Sequence, residues 1–136
     1  GIYDDVARIL EIREDVVTIR KSMLQITTLS NLNNDAQNMN QMIRWVNTKE
    51  EHANNIQNII SEYFLTQRLK FKDFNTSDRE EYVKQVTILH QLLIAAMKCR
   101  QTINASNCDT VLSLLNDFSN LYFDEHGLQH LKKISH

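Results

Sequence analysis

Apolar residues recur near the start of the chain at alternating spacings of three and four positions. This spacing places successive side chains on one face of an α-helix. The chain has no proline and only two glycines, so little interrupts the helical pattern. The pattern predicts a first helix over residues 2–30, with a buried face formed by Ile9, Ile12, Val16, Ile19, Met23 and Ile26.

A second apolar row lies one position further round this helix and comprises Leu10, Val17 and Leu24. The apolar arc is therefore wider than contact with a single neighbouring helix requires. Isoleucine at the d positions of a heptad is typical of three- and four-helix packing rather than of a two-stranded coiled coil. Two interpretations stay open: the helix buries this arc between two neighbours, or the second row is exposed as a contact surface.

Clusters of Asn, Asp, Ser and Thr divide the rest of the chain into further helices. Residues 30–35 and 72–77 are rich in side chains that favour turns and helix caps over helix interiors. Ser77 with Glu80 forms a capping-box pattern, and Ser106 marks another helix start. These signals predict three more helices, over residues 35–71, 77–103 and 107–134.

Each later helix has an apolar face with the same spacing. In the third helix this face is predicted to include Val83, Val86, Leu93 and Met97, with His90 among them as a core histidine. The predicted faces of the second and fourth helices comprise Met39, Met42, Val46, Ala53, Ile56, Ile60 and Tyr63, and Val111, Leu114, Leu115, Phe118, Leu121 and Tyr122.

The length of 136 residues fits one domain, and the turns between the helices are short. Short turns favour antiparallel neighbours. The sequence therefore predicts an all-α fold in a single domain over residues 1–136. We expect an antiparallel up-down-up-down four-helix bundle.

The composition excludes several classes of function. The formal charge is −2 and the pI is about 6.2, so the chain has no general attraction for nucleic acid. No apolar run reaches the roughly 18 residues of a membrane-spanning helix, and we expect no direct membrane insertion. The first residue is Gly1 rather than methionine, which suggests a fragment of a longer protein and leaves its compartment undetermined.

No motif for catalysis or cofactor binding is evident, because the chain lacks a glycine-rich phosphate loop and a nucleophile elbow. His126 and His130 have a spacing that can ligate a transition metal, but the nearest further ligand is His136 at the terminus. Ideal helices put the Cα atoms of Cys99 and Cys108 about 9–11 Å apart, beyond disulfide range unless the third helix ends early. We therefore predict no enzyme, no cofactor and no metal site.

Basic and aromatic residues alternate where the second predicted helix ends, with Phe71 and Phe74 beside Lys70 and Lys72. Such a surface suits contact with an acidic partner or with a membrane surface. In the other interpretation, the cations complement the C-terminal end of the helix dipole and the two rings cover the end of the bundle.

These observations predict a non-enzymatic protein-interaction domain, used as an adaptor, effector or assembly module. Its partner would be another protein or a second copy of the chain. The alternative is a ligand-sensing four-helix-bundle domain of a membrane receptor, because both ends of such a bundle leave from one pole. The predicted contact residues are Leu10, Val17, Leu24, Phe71 and Phe74.

Overall fold

The computed structural model describes residues 1–134, and every regular element in that range is helical. The predicted all-α class is confirmed. The elements are α1 (Ile2–Ser30), α2 (Ala36–Asn58), a π-helical segment that continues α2 (Ile59–Arg68), α3 (Arg79–Gln101), α4 (Ser106–Tyr122) and α5 (Glu125–Ile134).

Helices α1 to α4 pack around a shared core. α1 contacts α2, α2 contacts α3, α3 contacts α4, and α4 contacts α1. Side-chain contacts show that α1 and α4 are antiparallel: Asp5 at the start of α1 meets Tyr122 at the end of α4, whereas Met23 meets Cys108 near the start of α4. Within residues 1–134, no helix is both long and apolar enough to cross a membrane.

The inner face of α1 lies at the centre of the core. All six residues predicted for this face are buried, so this prediction is confirmed. Phe64 and Phe118 pack beside it with their ring centroids 5.2 Å apart in an edge-to-face arrangement. Each fully buried aliphatic or aromatic side chain contributes roughly 1.5–3 kcal/mol by burial, so α1 makes a large apolar contribution.

The inner face of α3 differs from the predicted one. The side chains that it buries are Leu89, Leu92, Ala95, Ala96 and Cys99. Val83 and His90 are exposed instead, so His90 is not a core histidine. The predicted row lies about 100° from the buried one, and its members Val86 and Leu93 are partly buried against the core, so the prediction found the edge of the buried face and not its centre. Periodicity alone does not show which row faces a neighbour.

The predicted fourth helix is divided in two, and the count of four helices is not confirmed. α4 ends at Tyr122 because Phe123 adopts an extended conformation and buries its ring. Asp124 then accepts a hydrogen bond from the backbone N–H of Gly127 at 2.8 Å, which begins α5. α5 packs against α1.

Gly127 lies at this contact between α5 and α1. A Cβ atom at this position would lie 2.8 Å from Phe123 Cδ1 and 2.9 Å from Ile2 Cδ1. Glycine lowers helix propensity here, and the packing explains its presence: there is little space for a side chain.

We expect Gly127→Ala to destabilise the fold. Alanine should gain about 1 kcal/mol in helix propensity, but overpacking costs about 1–3 kcal/mol, so the net loss should lie between about 0 and 2 kcal/mol. Urea denaturation measures it. Gln129→Ala, at an exposed position of the same helix, is the control and should change stability by less than about 0.5 kcal/mol. A Gly127→Ala variant more stable than wild type would contradict the close packing.

Candidate functional site

A buried carboxylate at the start of α1 is the centre of a polar cluster. Asp5 is only 3% exposed. Its Oδ1 accepts a hydrogen bond from the Tyr63 hydroxyl at 2.5 Å, and its Oδ2 accepts one from the Tyr122 hydroxyl at 2.8 Å. Arg68 Nε lies 2.9 Å from Oδ1. We call these four residues the Asp5 cluster.

The π-helical segment explains how two of these side chains reach the same carboxylate. Tyr63 and Arg68 are five residues apart, and in an α-helix their side chains would diverge by about 140°. The wider turn of a π-helix pairs residues five apart, as the 2.8 Å hydrogen bond from Leu69 N to Phe64 O shows. This change of spacing directs both side chains towards Asp5. Single π-helical turns occur frequently at functional sites.

The cluster keeps its tyrosines protonated. Burial, followed by the hydrogen bond to Asp5, raises the pKa of Tyr122 to about 12. The same two causes raise the pKa of Tyr63 well above its ordinary value. Hydrogen bonds with Tyr122 and Asp5 raise the pKa of the Arg68 guanidinium, which therefore stays positive beside the carboxylate.

A cleft of about 340 Å³ adjoins the Asp5 cluster, and Arg68 and Tyr122 form part of its wall. Besides Arg68, its charged lining consists of two lysines and two acidic residues, so the cleft has no strong net charge. These residues are Lys70, Lys72, Asp78 and Glu81. Since the Asp5 carboxylate accepts from three side chains, the main effect of the cluster is to hold α1, the π-helical segment and α4 together.

The sequence patterns did not indicate the Asp5 cluster. Tyr63 and Tyr122 occur in apolar rows, and Asp5 resembles an ordinary acidic residue in the first turn of a helix. One signal was available: Asp5 precedes Ile9 by four positions and Ile12 by seven, so it lies on the inner face of α1. A carboxylate on a buried face requires partners.

The predicted contact residues lie in two separate regions. Val17 and Leu24 are 69% and 63% exposed, whereas Leu10 is half-buried. Phe71 and Phe74 are largely exposed between the π-helical segment and α3, so they do not cover the end of the bundle. A partner role for both groups stays a prediction.

Among residues 1–134, the two histidines of α5 form no ligand cluster with other side chains. His126 is exposed, and the His130 ring packs edge-on against Tyr3 with the centroids 4.6 Å apart. The third ligand considered from the sequence, His136, lies outside the described residues. Within residues 1–134, no group of three or more His, Cys, Asp or Glu side chains is arranged to hold a metal ion.

The thiols of Cys99 and Cys108 are further potential metal ligands, and two cations lie near them. Cys99 and Cys108 are fully buried neighbours near the connection between α3 and α4. The charged side chains close enough to perturb both thiols include Arg20 and Lys49, which are cations. Positive charges oppose the binding of a metal cation.

Comparison with known families identifies a class of enzyme, the metal-containing oxidoreductases. The family model described as nickel-containing superoxide dismutase matches residues 1–126. Because the match spans most of the chain, the chain belongs to the nickel-containing superoxide dismutase family. Neither a curated protein nor a solved structure matches the chain.

This finding corrects the function predicted from the sequence. The family is a family of enzymes, so the predictions of a non-enzymatic interaction domain and of no enzyme activity are wrong. The alternative of a receptor sensor domain is overturned with them. The prediction failed because it depended on the lack of a recognisable ligand or catalytic motif, which is weak evidence about activity.

The described residues do not fit a nickel site. Nickel in proteins requires several nitrogen, sulfur or oxygen ligands in a defined geometry, and within residues 1–134 no three His, Cys, Asp or Glu side chains are arranged to provide them. The two thiols lie near the cations Arg20 and Lys49, and the other side chains close to Cys108 include Met23 and Asp109. We therefore derive no catalytic step at nickel from these residues.

The two neighbouring acidic residues of α1 provide a matched test of the cluster. We expect Asp5→Asn to cost about 2 kcal/mol in urea denaturation, because the Tyr63 and Tyr122 hydroxyls lose hydrogen bonds to a charged acceptor. Asp4→Asn is the control, since the Asp4 side chain is 81% exposed, and it should cost less than about 1 kcal/mol. Equal effects of the two substitutions would contradict the assigned role of Asp5.

The raised pKa of Tyr122 predicts a loss of stability at alkaline pH. The folded state favours the protonated phenol, so its contribution is complete below pH 10 and declines as the pH rises to about 12. Measured against pH, the free energy of unfolding of Tyr122→Phe should fall less steeply in this range than that of wild type. Tyr3→Phe, which removes an exposed tyrosine, should behave like wild type. Identical slopes for all three proteins would refute the prediction.

Proposed function

We propose that this chain forms the helical body of a nickel-containing superoxide dismutase. The reaction converts two superoxide ions and two protons into dioxygen and hydrogen peroxide. The observation that carries the proposal is the family match over residues 1–126. The all-helical fold is consistent with it.

The Asp5 cluster supports an architectural role for the described residues. It connects the first turn of α1 to the end of α4 and to the π-helical segment through one buried carboxylate. When bound, nickel supplies the electron-transfer chemistry. Because the side chains of residues 1–134 do not form a nickel site, we infer that nickel is held at least partly by other groups.

The direct experiment uses the product of the natural gene, produced with and without added nickel. We expect nickel to bind in proportion to protein, and superoxide decay followed by stopped-flow absorbance to accelerate only in the nickel-loaded sample. The sample produced without nickel is the matched control and should leave superoxide decay at its uncatalysed rate. A natural protein that contains nickel but does not accelerate superoxide decay would contradict the proposal.

We also propose that the exposed apolar row of α1 is a contact surface between copies of this chain. The exposure of Val17 and Leu24 supports this, because large apolar side chains seven residues apart can interlock with a second helix. Half-buried Leu10 continues the row by one more heptad. Contact between copies is compatible with an enzyme.

The double substitution Val17→Glu and Leu24→Glu tests this surface. Light scattering should give a mass above 16.0 kDa for wild type and a mass near 16.0 kDa for the variant. The control is the double substitution Ile43→Glu and Ile94→Glu, which changes exposed apolar residues on α2 and α3 and should keep the wild-type mass. Wild type at 16.0 kDa over the whole concentration series would contradict the surface.

A further inference from the structure

Two cysteines lie next to each other where α3 ends and α4 begins. Cys99 is two residues before the end of α3, and Cys108 is in the first turn of α4. Both side chains are fully buried and reduced, and the two thiols lie close enough to perturb each other's pKa. The Cys108 thiol donates a hydrogen bond to Met23 Sδ at 3.8 Å. The separation expected from ideal helices assumed that the third helix extends to residue 103. Because α3 ends at Gln101, the thiols become neighbours.

Both backbone segments that carry these cysteines are held by other helices. Lys49 of α2 donates hydrogen bonds to the carbonyl of Cys99, at 3.0 Å, and to the carbonyl of Arg100. These carbonyls lie in the last turn of α3, where a helix cannot satisfy them itself. On the other side, Arg20 of α1 binds Asp109 of α4 at 2.7 Å. The two cysteines are therefore fixed relative to each other.

The surroundings favour ionisation of one thiol over the other. Cys108 lies in the first turn of α4, where the helix dipole favours a negative charge, whereas Cys99 lies in the last turn of α3. The Cys99 thiol and the cations Arg20 and Lys49 also lower the pKa of Cys108. A thiolate is the nucleophilic form of cysteine, so we expect Cys108 to react first.

A surface cleft of about 540 Å³ adjoins this region. It is lined by Val46, Lys49 and residues 100–104. This range comprises the final two residues of α3 and the first three residues of the connection to α4. Lys49 also contacts the Cys99 carbonyl, so the cleft lies close to the cysteine pair. A small neutral oxidant needs only local opening of this connection to reach the thiols.

We propose that Cys99 and Cys108 are a dithiol that hydrogen peroxide oxidises to a disulfide. The Cys108 thiolate attacks one peroxide oxygen, an S–O bond forms, the O–O bond breaks, and the departing hydroxide takes a proton to become water. The Cys99 sulfur then attacks the Cys108 sulfur, the S–S bond forms, and the second oxygen leaves as water. Two thiols lose two electrons and two protons, and one peroxide becomes two waters.

Hydrogen peroxide is a product of superoxide dismutation, so its natural source rests on the proposed function. The reactivity of the pair does not, because it needs only added peroxide. The new bond would tie α3 to α4 across a short connection. A crosslink of this kind restricts the unfolded chain, so the midpoint of thermal unfolding should rise on oxidation.

The experiment treats the reduced chain with hydrogen peroxide, blocks free thiols with an alkylating reagent after unfolding, and digests the product with trypsin. Cleavage after Lys98 and Arg100 releases Cys99 in a dipeptide, whereas Cys108 lies in the peptide 101–132. We expect both alkylatable thiols to be lost and mass spectrometry to detect these two peptides linked. A thiol reductant should separate them.

Cys99→Ser and Cys108→Ser are the controls, and neither can form the linked peptide. Cys108→Ser should also lose its remaining thiol to peroxide more slowly than Cys99→Ser, because it lacks the first attacking group. Two thiols that stay free in wild type, or that gain oxygen separately without linking, would overturn the proposal. Since nickel is not added, this result is independent of dismutase activity.

Discussion

The buried carboxylate of Asp5 connects the start of α1 to two other elements of this structure. Asp5 follows from the register of α1: a helix that buries Ile9 and Ile12 also turns Asp5 inward. An unpaired buried charge costs several kcal/mol, so neighbouring elements must supply partners. The π-helical segment supplies Tyr63 and Arg68, and α4 supplies Tyr122. The end of α2 and the end of α4 are thereby fixed to the start of α1.

The sequence predicted the buried face of a helix best where one apolar row is clearly stronger than the others. The inner face of α1 was predicted correctly because its strongest apolar row also faces the core. The face of α3 was not, because Leu89 and Leu92 compete with the row that contains Val86 and Leu93. Only contact with other helices decides between such rows, and that information is not local.

The end of the chain and the Asp5 cluster depend on contacts that periodicity does not contain. Residues 107–134 have continuous helical spacing, yet Phe123 leaves the helix to bury its ring. Tyr63 and Arg68 converge only because the helix widens into a π-helical segment. Of the candidate site, the sequence alone indicated the exposed row of α1 but not the cluster, and it did not indicate that the chain belongs to a family of enzymes.

The central claim is that this bundle belongs to a nickel-containing superoxide dismutase without holding nickel through its two cysteines. The nickel K-edge X-ray absorption spectrum tests it most directly. The spectrum should be recorded on the nickel-loaded product of the natural gene, with and without Cys99→Ser and Cys108→Ser. We expect identical metal–ligand scattering in the two proteins. Loss of sulfur scattering in the doubly substituted protein would place nickel at the cysteine pair and contradict the account.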